Sequence, residues 1–407
     1  MLIFIRFSDF LRRQKHMAAK PGMTRREILT GAAGAAAAAS LGGIAGCFPG
    51  VGGTWPDAPP VSACGCTQPD GDASVADDQS PSPMTGASTV VTIQRDDSVD
   101  ARGKSLEQPQ LDAVEAMVNA ALSALAGGVA NPWPVLLPSV SRCTRIGLKV
   151  NCLNPYFPTS PAVVRAIIKS LLTNIPGVCP GNIVVWDRRQ DELEKAGKYV
   201  DAHLQGASLR GTVQTTTDPS GPGYSDKSFG TFQGSTPRLS RILTDQTDIT
   251  INCPVLKAHN QSGVTAGLKN IYGIIDIPGK FHTDEEKGVS LPRALPDLYN
   301  IPHIRKSIQL TIVDALQAVS LGDTSSIPDT APGRIFASTD PVALDHYALD
   351  LINQLRAKRK QPAITGPILD WLENAYQLGL GTKDYNLVDL TSGGDAASDG
   401  GVVDVAG

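Results

Sequence analysis

The sequence has no excess of charge of either sign: 36 Lys and Arg face 40 Asp and Glu over 407 residues, for a formal net charge of −4. That balance excludes a nucleic-acid binder built on a basic surface. Strongly apolar runs of about 20 residues, which a membrane-spanning helix requires, are also missing. Aromatic residues make up 5% of the chain while Gly and Pro number 40 and 30, so packed and unpacked stretches share one chain. Several chemical signatures are absent as well. No G-x-G-x-x-G follows a strand-like run, no H-E-x-x-H occurs, and Ser262 has no G-x-S-x-G frame. Gly103-Lys104-Ser105 ends like a P-loop, but Ser98 stands where its leading Gly belongs. A Rossmann cofactor, zinc proteolysis, serine hydrolysis and nucleotide hydrolysis all lose support.

What is present begins with Arg25-Arg26 ahead of a weakly apolar, Ala- and Gly-rich run from Gly31 to Gly46. A charged region followed by a short apolar one is the layout of an export signal, and the arginine pair resembles a twin-arginine signal. Leu41-Gly42-Gly43-Ile44-Ala45-Gly46-Cys47 resembles a lipobox, which implies lipid on Cys47, passage through the twin-arginine export machinery, and a periplasmic or cell-surface protein anchored in the membrane. Residues 1–47 are therefore assigned to the signal. Residues 48–104, dense in Pro, Gly, Ser and Asp, read as a disordered tether. Residues 105–390 form the folded region and 391–407 a flexible tail. Seven cysteines, Cys47, Cys64, Cys66, Cys143, Cys152, Cys179 and Cys253, leave six after lipidation. In an oxidising compartment these can form disulfides, and spacing alone selects no pairing.

Within the folded region, apolar positions three to four apart predict a helix over Leu106 to Leu125. Arg145 to Val150 predicts a strand, Ser160-Pro161 the start of a helix, and Asn182 to Asp187 a second strand. Strand, helix, strand at this spacing is a parallel crossover unit. Further strands are predicted at Asp248 to Asn252, Ile308 to Asp314 and Arg334 to Ser338, with helices at Pro341 to Lys358 and Ile368 to Leu378. The fold class is α/β, a largely parallel sheet with flanking helices in one body or in two α/β lobes. Leu209 to Gly234 reads as an antiparallel insertion or a lid. Polar residues gather where strands end: Asn151, Asp187 with Arg188, Lys257 with His259, Asp314, and Ser338 to Asp340. Ligands of open parallel sheets bind outside the carboxyl ends of strands, although Asp340 before Pro341 reads equally as a helix N-cap.

The densest cluster of polar groups lies between Cys253 and His282. Lys257 and His259 alternate on one side of an extended segment. Gly263 and Gly267 share a face if the segment continues as a helix, Lys269 follows, and His282 can return to the same mouth. Gly147-Leu148-Lys149-Val150-Asn151, the run from Asp248 to His259, Gly263-Val264-Thr265, Leu268-Lys269-Asn270 and Ala337 to Asp345 resemble the domain-of-unknown-function family 362 over about Ile146 to Leu380. Many relatives carry ferredoxin-type cysteine clusters. This chain has no C-x-x-C run, so no iron–sulfur cluster is expected.

A second resemblance is to the nickel-pincer lactate racemases, in which a His, nine intervening residues and a Lys form a block followed by a further His. His259, Lys269 and His282 fall in that pattern. The resemblance implies that Lys269 bears a nickel-pincer nucleotide or contacts a phosphate, and that His259 and His282 serve as metal ligand and acid/base residue, in either order. Lys257, Gly263, Gly267, Asn151, Asp187 and Asp340 complete the expected cofactor site. The segment Asn151 to Thr159 lacks the arginine of those enzymes, and Arg188 is the candidate replacement. The expected function is a cofactor-dependent isomerase or oxidoreductase acting on a small hydroxylated or carboxylated substrate. The alternative is a lipoprotein that binds an anionic small molecule without chemistry.

Overall fold

The computed structural model describes residues 86–100, 108–232, 235–282 and 290–391. The signal, Cys47, Cys64, Cys66 and the 392–407 tail lie outside the described residues. Ten strands form one sheet: β1 (Ser88–Gln94), β2 (Ile146–Lys149), β3 (Ile183–Arg189), β4 (Ser208–Val213), β5 (Ile249–Asn252), β6 (Val255–His259), β7 (Gly263–Thr265), β8 (Ile308–Val319), β9 (Arg334–Ser338) and β10 (Tyr385–Asp389). Their order is β10-β1-β9-β8-β5-β2-β3-β4, with β6 pairing with both β7 and β8. The described chain is thus built on one mixed, mostly parallel sheet flanked by helices, the α/β class, rather than on two separate lobes.

Short-range signals explain the crossover from β2 to β3. Ser160 Oγ accepts from Ala162 N at the first turn of the helix Pro161–Asn174, and Pro161 occupies the first helical position. The helix stops where Ile175, held extended, precedes Pro176. Successive residues of β3 fall into different apolar clusters, Ile183 and Val185 in one and Val184 and Trp186 in the other. The sheet is therefore covered on both faces, as parallel sheets require.

Three expectations need correction. The tether was expected to run to Lys104, but Ser88–Gln94 is a strand inside the sheet, parallel to β10 and antiparallel to β9. β9 runs antiparallel to β8, so Ser338 to Asp340 point away from the carboxyl ends of the parallel strands. Leu209, expected to open an insertion, lies in β4, which pairs parallel to β3 at the sheet edge.

The strand order also locates a crevice. From β2 the chain proceeds outward through β3 and β4, then returns to β5 on the other side of β2 and continues to β8. The reversal falls between the carboxyl ends of β2 and β5, the switch point at which open α/β sheets accept ligands.

Candidate functional site

At that switch point the structure brings together Lys257, His259, Lys269, His282 and Asn151. Lys257 and His259 both lie on β6, whose hairpin partner β7 places Thr265 opposite Lys257 and Gly263 opposite His259. Lys257 Nζ donates to Asn151 Oδ1 at 3.1 Å. Lys269 is the second residue of the 3-10 segment Leu268–Ile274. Its amine lies 3.2 Å from His282 Nε2 and 3.6 Å from the centre of the Tyr272 ring. Tyr272 donates its hydroxyl proton to Phe281 O at 2.6 Å, which holds the turn that carries His282. The His259 and His282 rings lie nearly parallel with centres 6.0 Å apart.

The hydrogen-bond partners fix the proton on each ring. His259 Nδ1 accepts from Gln261 N and Ser262 N, so the neutral ring carries its proton on Nε2. His282 Nδ1 faces the Pro278 carbonyl at 3.0 Å and must donate to it, which leaves the Nε2 lone pair facing Lys269. Burial pushes both rings down, His259 to about 3 and His282 to about 4, with Lys269 adding to the shift in each case. Burial likewise brings Lys257 down to about 8 and holds Lys269 well below the ordinary lysine value, with Lys257 adding to the latter. Lys257 is 1% exposed and Lys269 7%. Among the described residues neither has an ion-pair partner. Thr265 Oγ1, on the same side of the hairpin as Lys257, is buried and has no hydrogen-bond partner among the described residues.

The other expected site residues have different roles. Asp187 is bound 2.7 Å from Lys149 Nζ and accepts from Cys152 N and Arg188 N. Gly273 is small enough to admit that pair: a Cβ there would stand 2.6 Å from Lys149 Nζ. Gly263 and Gly267 do not share a helix face. Gly263 has φ +71° in β7, and a Cβ would meet Leu369 and Ile364. Gly267 abuts Leu344 and Asp345, so both glycines serve packing. Asp340 caps the helix Pro341–Lys358 through Val342 N and Ala343 N and also binds Ser88 and Thr382. Arg188 is engaged by Tyr224 Oη and the Asp276 carbonyl. Asp314 accepts from Ser160 N and Leu316 N. It lines a cavity of about 260 Å³ with Pro155, Tyr156, Phe157 and Gln317, a cavity walled by none of the cluster's lysines or histidines.

Sequence reasoning missed Lys149, Asn252, Thr265 and Tyr272 as members of the site or of its floor. Lys149 carried one signal: a lysine inside an apolar strand needs a buried partner. No group of three His, Cys, Asp or Glu able to hold a metal occurs among the described residues. Cys143 and Cys179 are disulfide-bonded, whereas Cys152 and Cys253 are free and buried, their thiols pushed far up by burial.

The model of a family described as a domain of unknown function (DUF362) matches residues 146–350, half of the chain. No curated protein matches. Among solved structures, the lactate racemase apoprotein from Thermoanaerobacterium thermosaccharolyticum is similar at 10% identity and a TM-score of 0.35, covering 63% of this chain and 55% of its own. A structural-genomics protein from Thermotoga maritima is similar at 13% identity and a TM-score of 0.34, covering 65% and 58%. The chain thus matches a little over half the length of each.

Proposed function

The chain belongs to the DUF362 family, and we propose that it is an exported, lipid-anchored enzyme whose Lys257, Lys269 and Thr265 hold an anionic, nucleotide-type cofactor beside a small hydroxylated or carboxylated substrate. One observation carries the reading: Lys269 is buried without a carboxylate partner, its amine on the His282 lone pair. An uncompensated buried ammonium is costly, and a ligand phosphate or carboxylate would relieve that cost. The orphaned Thr265 hydroxyl is a further group such a ligand would satisfy.

The residues fit a phosphate-bearing group better than a bare metal ion. His259 Nε2 carries a proton and cannot ligate in that state, so His282 Nε2 is the one imidazole lone pair in the cluster, whereas a protein-only metal site takes three or four ligands. Of the two histidines expected as metal ligand and acid/base residue, His282 alone presents a lone pair. When bound, the cofactor would supply the hydride acceptor that chemistry at a hydroxyl-bearing carbon needs. Once a ligand anion draws the Lys269 amine away, His282 Nε2 would take the hydroxyl proton as general base and return it from the imidazolium so formed, while the neutral His259 Nε2–H would donate a hydrogen bond to the substrate oxygen. Burial keeps both rings neutral at pH 7 before the reaction, as a base and a hydrogen-bond donor require.

Arg25-Arg26 and the segment ending in Cys47 support export and lipidation, and the disulfide-bonded state of Cys143 and Cys179 fits an oxidising compartment. A second reading, capture of a small anion without turnover, is favoured by the lack of a carboxylate among the clustered side chains. Intact-mass and metal analysis of protein from the membrane fraction of its native host tests the first reading. A stoichiometric adduct on Lys269, with or without metal, and lipid on Cys47 are expected. Folded protein with an unmodified Lys269 and no bound cofactor would leave the binding reading in its place.

A further inference from the structure

Asn151, Asn270 and Asn252 come from three elements and form a continuous chain of carboxamides beneath the site. Lys257 Nζ donates to Asn151 Oδ1 at 3.1 Å, Asn151 Nδ2 to Asn270 Oδ1 at 2.9 Å, Asn270 Nδ2 to Asn252 Oδ1 at 2.8 Å, and Asn252 Nδ2 to Gly267 O at 2.9 Å. The ends set the direction. A protonated lysine can only donate and a backbone carbonyl can only accept, so every amide oxygen points towards Lys257 and every amide nitrogen towards Gly267. Asn252 and Asn270 are buried, and the second donor of each reaches a neighbour outside the chain, Thr311 Oγ1 and Lys149 O.

We infer that this amide chain is a specificity device: it holds Lys257 in place with uncharged oxygens, so that two lysines stay uncompensated and the site selects a ligand bearing two negative charges. The inference rests on the anion-binding reading above and names its ligand class, a phosphate monoester or a dicarboxylate. An aspartate at position 151 would have nearly the same shape but would neutralise Lys257, an ordinary solution for a buried lysine. The acids nearby are otherwise engaged. Asp187 and Asp323 favour the Lys257 charge through space without an ion pair to it: Asp187 is paired with Lys149, and Asp323, at the rim near His259, accepts from the backbone N–H and hydroxyl of Ser325. The two rings contribute no charge at pH 7, and burial favours the neutral form of Lys269, so a dianion both meets the Lys257 charge and draws a proton onto the Lys269 amine as it binds.

Titration calorimetry tests this on full-length protein whose Lys269 is unmodified by mass, with inorganic phosphate, malonate and acetate at pH 7.5. The wild type should bind phosphate or malonate at least tenfold more tightly than acetate, and whichever dianion wins identifies the source of the charge. Asn151→Asp, which also removes the donor to Asn270 Oδ1, should keep the wild-type circular-dichroism spectrum, lose at least tenfold in dianion affinity and lose the preference over acetate. Asn151→Ala, which removes the oxygen without adding charge, should weaken binding less and keep the preference. An Asn151→Asp protein that retains the preference would overturn the amide-chain inference alone. A folded wild type that binds neither dianion would overturn the anion-binding reading and this inference with it.

Discussion

Lys149 and Lys269 are both buried, and their surroundings differ in one respect. Lys149 is held by a carboxylate at 2.7 Å and by the Val150 carbonyl, while Lys269 faces an imidazole lone pair and an aromatic ring. The first lysine has what a buried charge needs to be structural. The second has no carboxylate partner, and burial holds it well below the ordinary lysine value, which is the setting the proposed ligand would relieve. A lysine's burial alone says little, and the sign of its partners separates the two roles.

That contrast can be broken most directly by truncation. Lys149→Ala leaves Asp187 buried and unpaired and should cost about 3 to 5 kcal/mol, read as a large fall in the denaturant midpoint. Lys269→Met removes an uncompensated cation and should leave stability within about 1 kcal/mol of the parent, or raise it, while phosphate binding falls at least tenfold. Equal destabilisation by both would make Lys269 structural too.

A smaller effect concerns pH. His259 and His282 titrate below the free imidazole value, so the unfolded chain takes up protons first as pH falls, and these rings lower stability from about pH 6.5 down to about 4 for His282 and about 3 for His259. Asp314 and Asp345, pushed up by burial to about 6 and about 7, act in the opposite sense, lowering stability as pH rises from about 4 towards 7. Replacing both histidines with asparagine should therefore reduce the acid-induced loss, by on the order of 1 kcal/mol per ring. The imidazole proton resonances of the two rings should show no titration between about pH 5 and 7.5. A midpoint near 6.5 would contradict the buried, cation-flanked setting. The smallest effect on ligand binding should come from Asp340→Ala, which loses a helix cap at about 1 to 2 kcal/mol of stability and should leave phosphate binding unchanged. Loss of binding there would return Asp340 to the site.

The legible parts of the fold were those with local signals. The β2 to β3 crossover announced itself through Ser160-Pro161 and two apolar strands. Lys257, His259, Lys269 and His282 were legible as a cluster because they lie within one short stretch of chain. β1 was missed because a seven-residue strand in a polar, Pro-rich setting is stabilised by partners far away in sequence, Val91 pairing with Ala337 and Ser88 with Tyr385. The glycines were misread for a related reason. What crowds Gly263 is Leu369 and Ile364, more than 100 positions on.

By itself the sequence determined the α/β class, the DUF362 resemblance and the identity of the lysines and histidines, because each depends on patterning within a few dozen residues. Only the tertiary structure decided which lysine is neutralised, which nitrogen of each histidine carries the proton, and that Asp340 serves a helix rather than the site. Those outcomes depend on atoms brought to within about 3 Å of one another from distant parts of the chain. At that range a single carboxylate, carbonyl or amide settles whether a buried charge is structural or left for a ligand.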